Sequence, residues 1–458
     1  MSDSTSITDN SSITAEPDVV QIVPDGNVLL DVTFETSRAV LRAARRASKS
    51  RPGLQVVSPT FKPKVRLRYR VRLEVLKQHS KYFFNLLGDT RFSEGKSIAD
   101  AFARLALRHV NPSDAEAKDL PVVQIHEDDE ATKTAGQEAA FEGLLRVLHA
   151  KDVTTKPVTM QYLATLAILA DRFDCALPVS KYLIHSLKYK WPATQTRLSR
   201  DDGPALTRAA EETLRQKILV SWLLDQPLKM PAATRELIMY GSRKWSALHD
   251  DEEAADGAMW WDLPDGLEHE LQYRRQCIVN TIASSLRHFL QLYSSRVRQC
   301  KLGYDSSANC DSYQLGEMIK FLFSRDMLSL VDFSSNSFGG ERDHATDDLG
   351  HIIATLKQCP SYQIDKNHTN CGLRTRIIPI LDYIQAMLSS NIVPIARHVW
   401  KNDRDSASWL RGSENDQEPP AVGTGGGDQR LRYEGALASD RAARALFTAD
   451  RWDWTPEY

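Results

Sequence analysis

Cys300 and Cys310 bracket a short polar loop, Gly303-Tyr304-Asp305-Ser306-Ser307, and Cys359, His368 and Cys371 gather around a second loop, residues 360–372. Structural zinc is held by four Cys or His side chains in a tetrahedron, and two loops that each deliver a pair can build one. Cys300, Cys310, His368 and Cys371 satisfy that arithmetic, with Cys359 as a fallback ligand. Nine residues separate the first pair, which is unlike a zinc ribbon, and the chain has no Cys-x-x-Cys. The plain alternative is a set of ordinary thiols, with His368 a turn residue in the polar run 365–370. Position favours ligation: four of the six cysteines lie at or near the ends of polar loops and not in the middle of apolar helical faces.

Such loops need rigid elements on either side. Leu271, Cys277, Ile278, Ile282, Leu286, Phe289, Leu290 and Tyr293 form one stripe at helical spacing, which predicts a long buried helix over 268–297 that ends just before Cys300. Residues 179–190, 204–224 and 233–245 also have helical spacing, with Pro192, Pro227 and Pro231 as stops between them. The acidic run at 250–257 predicts a flexible surface loop. Residues 408–430, with Gly423-Thr424-Gly425-Gly426-Gly427, have the composition of a flexible linker. It leads to a helix-capable tail carrying Trp452, Trp454 and Tyr458, which are exposed unless they dock.

Nothing else in the chain spells out catalysis. There is no Gly-x-Ser-x-Gly elbow, phosphate loop or dinucleotide fingerprint. His79 and Ser80 are adjacent, but neighbours at the start of a helix point in different directions. The run Glu127-Asp128-Asp129-Glu130 reads as a solvated loop after a strand and not as a cation site.

The stretch 65–94 identifies the other half of the molecule. Val65, Leu67, Tyr69, Val71 and Leu73 alternate with Arg66, Arg68, Arg70 and Arg72, the pattern of a half-buried strand. After Ser80, a candidate cap, the period becomes helical through Tyr82 or Phe83, then Leu86 and Leu87. The wording Val75-Leu76, His79-Ser80-Lys81-Tyr82-Phe83 and Phe92-Ser93-Glu94 resembles the BTB/POZ domain, in which a helix opens at Ser-x-Tyr-Phe before a Phe-x-Glu loop. Strands at 27–35 and 121–126, a helix at 141–149 and a late helix at 162–174 follow that family's order, so the resemblance spans roughly residues 27–190, about a third of the chain. Segments 313–319 and 359–374 also look like fungal BTB-domain proteins of unassigned role. Two inserts depart from the pattern, near 36–64 and 97–118. The first holds six basic residues and no acidic one over 38–51, in a helix-compatible sequence.

At 458 residues, with 42% hydrophobic and 26% charged residues and a net charge of −2, the composition is that of a soluble globular protein with more than one domain. The near-neutral balance offers no global attraction to nucleic acid, and only the region from Arg38 to Arg72 supplies a local basic patch. No apolar run approaches the length of a membrane span, and the sparse cysteines with no secretory signal point to reduced thiols. The fold expected is α+β: a disordered arm at 1–26, a BTB/POZ-like domain at 27–190, supporting helices at 191–248, an acidic loop at 249–266, a mostly α-helical domain at 267–407 with a possible zinc site, the linker at 408–430 and a tail at 431–458. The resemblance implies a non-enzymatic interaction protein in the cytoplasm or nucleus, a homodimer through the first domain, and a substrate adaptor docked on a cullin scaffold of a ubiquitin ligase. Two other readings stand beside it: a nuclear transcription- or chromatin-associated factor using the basic insert, and a metal-dependent enzyme using the cysteine cluster.

Overall fold

The alternation of apolar residues and arginines along 65–72 solves a problem inside a sheet. The computed structural model describes residues 19–49, 62–155, 157–194, 196–199, 203–246, 257–300, 302–303, 305–331, 344–369, 371–410 and 439–454. Four strands, β1 (Val19–Gln21), β2 (Val28–Glu35), β3 (Lys64–Val71) and β4 (Val122–Asp128), form one sheet in the order β1-β3-β2-β4. β2 runs antiparallel to β3, with Val28 opposite Val71, and parallel to β4. Every residue of β2 except Glu35 is buried, Asp31 included. A buried carboxylate must be paired. Arg66 donates two hydrogen bonds of 2.7 Å to Asp31 and Arg68 one of 3.1 Å. Burial alone would raise the Asp31 carboxyl; the two guanidinium groups hold it below its ordinary value.

The other two arginines of the row are also engaged. Arg70 is buried, contrary to the alternation, and donates to the carbonyls of Gly26 (2.8 Å), Ser113 (3.1 Å) and Ala115 (3.0 Å). Gly26 permits this approach, because a Cβ there would lie 2.7 Å from the Arg70 Cγ. Arg72 pairs with Asp25. The basic patch expected over 38–72 therefore shrinks to its first part, helix α1 (Arg38–Lys49), which buries Val40 and Leu41 and exposes Arg38, Arg42 and Arg46.

Helices α2 (Leu73–His79), α3 (Lys81–Gly88), α4 (Ser93–Leu107), α5 (Gln137–Leu148), α6 (Met160–Arg172) and α7 (Ala176–Tyr182) complete the first unit, which spans residues 1–189. Ser80 caps α3 as its position predicts: its hydroxyl accepts from the Phe83 amide at 3.0 Å and donates to the Phe173 carbonyl at 2.6 Å. Phe83 stacks on Phe173 at 5.3 Å, and Phe141 meets Phe173 and Phe34 edge-on at 5.5 and 5.6 Å. The second insert, 97–118, contains most of α4, whose Leu105 packs with Leu29, Ala115 and Leu120.

Two expectations for this unit are corrected. Of the arm at 1–26, residues 19–21 form β1 against β3 and Ile22 and Val23 are buried, while residues 1–18 lie outside the described residues. The acidic run 127–130 is not a solvated loop: Glu127 is buried and receives Arg172 at 2.6 Å, and Asp129 is buried and accepts from the amide and hydroxyl of Ser37, each at 2.9 Å.

The second unit, residues 190–458, begins with a hairpin that helical spacing conceals, β5 (Thr196–Ser199) and β6 (Gly203–Leu206). Helices follow: α8 (Arg208–Leu223), α9 (Lys229–Tyr240), α10 (Leu267–Ser294), α11 (Ser307–Ser324), α12 (Leu349–Leu356), α13 (Leu373–Leu388), α14 (Arg397–Asn402), α15 (Arg404–Ala407) and α16 (Asp440–Phe447). α10 is the axis; it packs against α9, α11, α13 and α16, and its predicted stripe from Leu271 to Tyr293 is buried throughout. The segments read as separate supporting helices and helical domain thus belong to one body. Of the acidic loop 249–266, residues 249–256 lie outside the described residues, whereas Trp260 and Leu263 are buried.

Of the linker expected at 408–430, Ser408 and Trp409 are instead buried and hydrogen-bond to the Glu270 carboxylate, each at 2.8 Å. Residues 411–438 and Tyr458 lie outside the described residues. The tail docks on its own chain. Phe447 stacks on Trp409 at 5.9 Å, and the buried Trp454 donates its indole N–H to Ser284 at 2.9 Å.

Candidate metal centre

α10 ends at Ser294, and the chain turns back to reach Cys300. That turn is fixed by the first helical turns of α11: the Gln299 and Cys300 amides donate to the Asp311 carboxylate at 2.7 and 3.1 Å. Cys310 sits one residue before Asp311 on the same helix. The second loop is tied down at both ends. Arg374, in the first turn of α13, donates to the carbonyls of Lys357 (3.3 Å) and Cys359 (2.6 Å), and the Tyr293 hydroxyl of α10 donates to the Cys371 carbonyl at 3.1 Å. Between these ties Gln314 of α11 donates to the Tyr362 carbonyl at 3.0 Å.

The result brings together the four residues singled out by their loops. The sulfurs of Cys300, Cys310 and Cys371 and a ring nitrogen of His368 all lie within 4.8 Å of one another. Cys300 Sγ is 3.7 Å from Cys371 Sγ, and His368 Nδ1 is 3.4 Å from the first and 3.6 Å from the second. Cys300, Cys310 and His368 are buried, and Cys371 is partly exposed. His368 is therefore not a surface turn residue. The fallback Cys359 is buried elsewhere, with its sulfur 3.7 Å from the Pro360 carbonyl. Such a cluster can hold a metal ion.

The thiols respond to one another. Burial raises all three, but the polar groups close to its sulfur, the Ser307 hydroxyl, the Leu302 backbone and the other two thiols, bring Cys300 below its ordinary value. With Cys300 the first to ionise, burial and the neighbouring sulfurs push Cys310 up to about 12, and burial with the Cys300 sulfur raises Cys371. A pocket that admits one thiolate and resists the next two is one that a divalent cation relaxes. The Ser307 hydroxyl, buried and without a hydrogen bond of ordinary geometry, leans on Cys300.

Three neighbours were invisible in the spacing. Ser306 Oγ lies 2.8 Å from His368 Nε2 and donates to Asp365 Oδ2 at 3.1 Å, and Asp311 braces the Cys300 amide. The sequence signals that could have found two of them are the placement of Asp311 next to Cys310, and of Asp365 one helical turn's length before His368. The pair His368-x-x-Cys371 also has the two-residue gap of a metal knuckle, with His in place of the first Cys. Comparison with family models, with curated proteins and with solved structures returned no match.

Proposed function

We propose that the chain is a non-catalytic interaction scaffold, in which a BTB/POZ-like first unit assembles with a second copy and a helical second unit is stapled by structural zinc. The observation that carries the zinc half is the size of the cluster. Zinc–sulfur bonds of about 2.3 Å and zinc–nitrogen bonds of about 2.0 Å give tetrahedral edges of about 3.8 Å between sulfurs and 3.5 Å between sulfur and nitrogen. The separations of 3.7, 3.4 and 3.6 Å among Cys300, Cys371 and His368 match three of those edges, and Cys310 Sγ lies within 4.8 Å of the other three ligand atoms. Four protein donors fill a tetrahedron and leave no open position for a substrate, which argues against a metal-dependent enzyme.

The scaffold half is supported by the element order of the first unit and by what it leaves uncovered. Tyr82, Phe84 and Phe92, close together in sequence on and just after α3, stay exposed while Phe83 fills the core between them. Exposed aromatic groups of this kind suit an assembly surface. A cullin scaffold and a protein substrate are the further partners that the BTB/POZ resemblance suggests, by analogy of fold alone. A nuclear role is the second reading, favoured by the exposed Arg38, Arg42 and Arg46 of α1; unchanged nuclear uptake after their replacement by alanine would remove it. Native mass spectrometry of the full chain tests both halves in one spectrum. A dimer with one zinc per chain supports them, and a metal-free monomer overturns them.

A further inference from the structure

We propose that Ser306 and Asp365 are positioning residues that hold the ring proton of His368 on Nε2 and thereby present Nδ1 to the metal. The inference rests on the zinc reading of the cluster and names the residues that make His368 a competent ligand.

The geometry carries it atom by atom. A carboxylate accepts hydrogen bonds and cannot donate. Asp365 Oδ2 lies 3.1 Å from Ser306 Oγ, so the single hydroxyl hydrogen of Ser306 points at the carboxylate. The Ser306 oxygen is then left to accept, and the ring nitrogen 2.8 Å away is His368 Nε2, which must carry the proton. A neutral imidazole protonated on Nε2 has its lone pair on Nδ1. That is the nitrogen facing the Cys300 and Cys371 sulfurs at 3.4 and 3.6 Å. Asp365 is 3.8 Å from Nε2 itself, too far for a direct hydrogen bond, so the hydroxyl is a required link.

The other oxygen of Asp365 fixes the direction of the chain. Oδ1 accepts from the Asn367 amide at 2.8 Å, and the Asp365 carbonyl accepts from the His368 amide at 3.2 Å. The side chain that orders the turn is thus the one that sets the tautomer of the ligand it carries. An asparagine at 365 would be oriented by the same backbone amide: its oxygen faces Asn367 and its NH2 faces Ser306. The amide would donate to Ser306, the hydroxyl hydrogen would turn to Nε2, and the ring proton would move to Nδ1, where the metal binds. One isosteric change reverses the polarity of every bond in the relay.

The experiment uses the full chain labelled with 15N-histidine, with the His368 resonances identified by their loss in His368→Gln, and zinc ion competed against a chromophoric chelator. In metal-free wild type the proton is expected on Nε2. Asp365→Asn is expected to show it on Nδ1 and to weaken zinc binding by about 10–100-fold, the usual effect of removing the partner of a ligating histidine. Ser306→Thr, which keeps the hydroxyl, should retain both the wild-type tautomer and the wild-type affinity, while Ser306→Ala should lose affinity. A wild-type proton on Nδ1, or zinc bound as tightly by Asp365→Asn as by wild type, overturns the proposal. Failure of the metal reading looks different: wild type then takes up no zinc, whichever ring nitrogen carries the proton, and Nδ1 loses its role as a ligand.

Discussion

If the cluster holds zinc, as proposed, stripping the metal should loosen the second unit by an amount that can be bounded. A ligand that binds only the folded state stabilises it by about 2.7 kcal/mol when held at a hundred times its Kd. For a body of the size of residues 190–458 each kcal/mol moves the midpoint by about 2–4 °C, so chelation should lower the melting transition by about 5–10 °C. The direction follows from the cluster. It joins the end of α10 and the start of α11 to the loop before α13, and without the metal those segments are left to the weaker hydrogen bonds of Asp311, Tyr293, Gln314 and Ser306. Differential scanning calorimetry of the full chain, in buffered zinc and then in excess chelator, reads the difference. The gain should shrink as pH falls, because Cys310, pushed up to about 12 in the metal-free cluster, must shed its proton when the metal binds. Transitions that coincide within about 1 °C in zinc and in chelator would refute the staple, since linkage then leaves no room for a tight folded-state ligand.

Two further outcomes test the docking of the tail on α10 and a buried ion pair in the first unit. Trp454→Ala should cost about 3–5 kcal/mol in denaturant unfolding, because the indole is buried and its N–H bonds to Ser284 across 170 residues of sequence; a loss below about 1 kcal/mol would mean that the tail is not docked there. Asp31→Asn should flatten the acid limb of stability of the first unit. With its folded pKa held below the unfolded value near 3.8, ionised Asp31 contributes stability above that value and loses it as pH falls through the folded pKa; an acid limb equally steep in the variant would sink the assignment.

Periodicity reported which segments are elements, and the polar groups decided what the elements do. The stripe on α10 was legible because its eight named residues face one buried side, and burial is what helical spacing encodes. The antiparallel pair β5–β6 was not legible: its strands are four residues each, too short for a period-two pattern to separate from the helix that follows. The arginines of β3 read as the outer face of a half-buried strand because charged residues are rarely buried, yet Asp31 and three backbone carbonyls draw all three, Arg66, Arg68 and Arg70, into partnerships. Composition placed Ser408, Trp409 and Trp454 in or beyond a linker, but burial depends on whether a receiving surface exists, and α10 supplies one through Glu270 and Ser284.

At the metal centre the sequence carried identity without direction. Cys and His are rare enough that their clustering at loop ends is informative, and all four expected ligands meet. Cys359 looked equivalent in one dimension, but its sulfur turns to the carbonyl of Pro360, because Arg374 holds the Cys359 carbonyl at the root of the loop and the ligand pair lies beyond it. Serine and aspartate are too common in loops for Ser306 and Asp365 to stand out by type. Their role lies in the path of a proton, from His368 Nε2 to a hydroxyl oxygen and from that hydroxyl to a carboxylate, and the path exists only when residues 62 and 59 positions apart come within 2.8 and 3.1 Å. A substitution that keeps the shape of Asp365 and reverses only its hydrogen-bond polarity therefore separates what the loop contributes by packing from what it contributes by placing a lone pair.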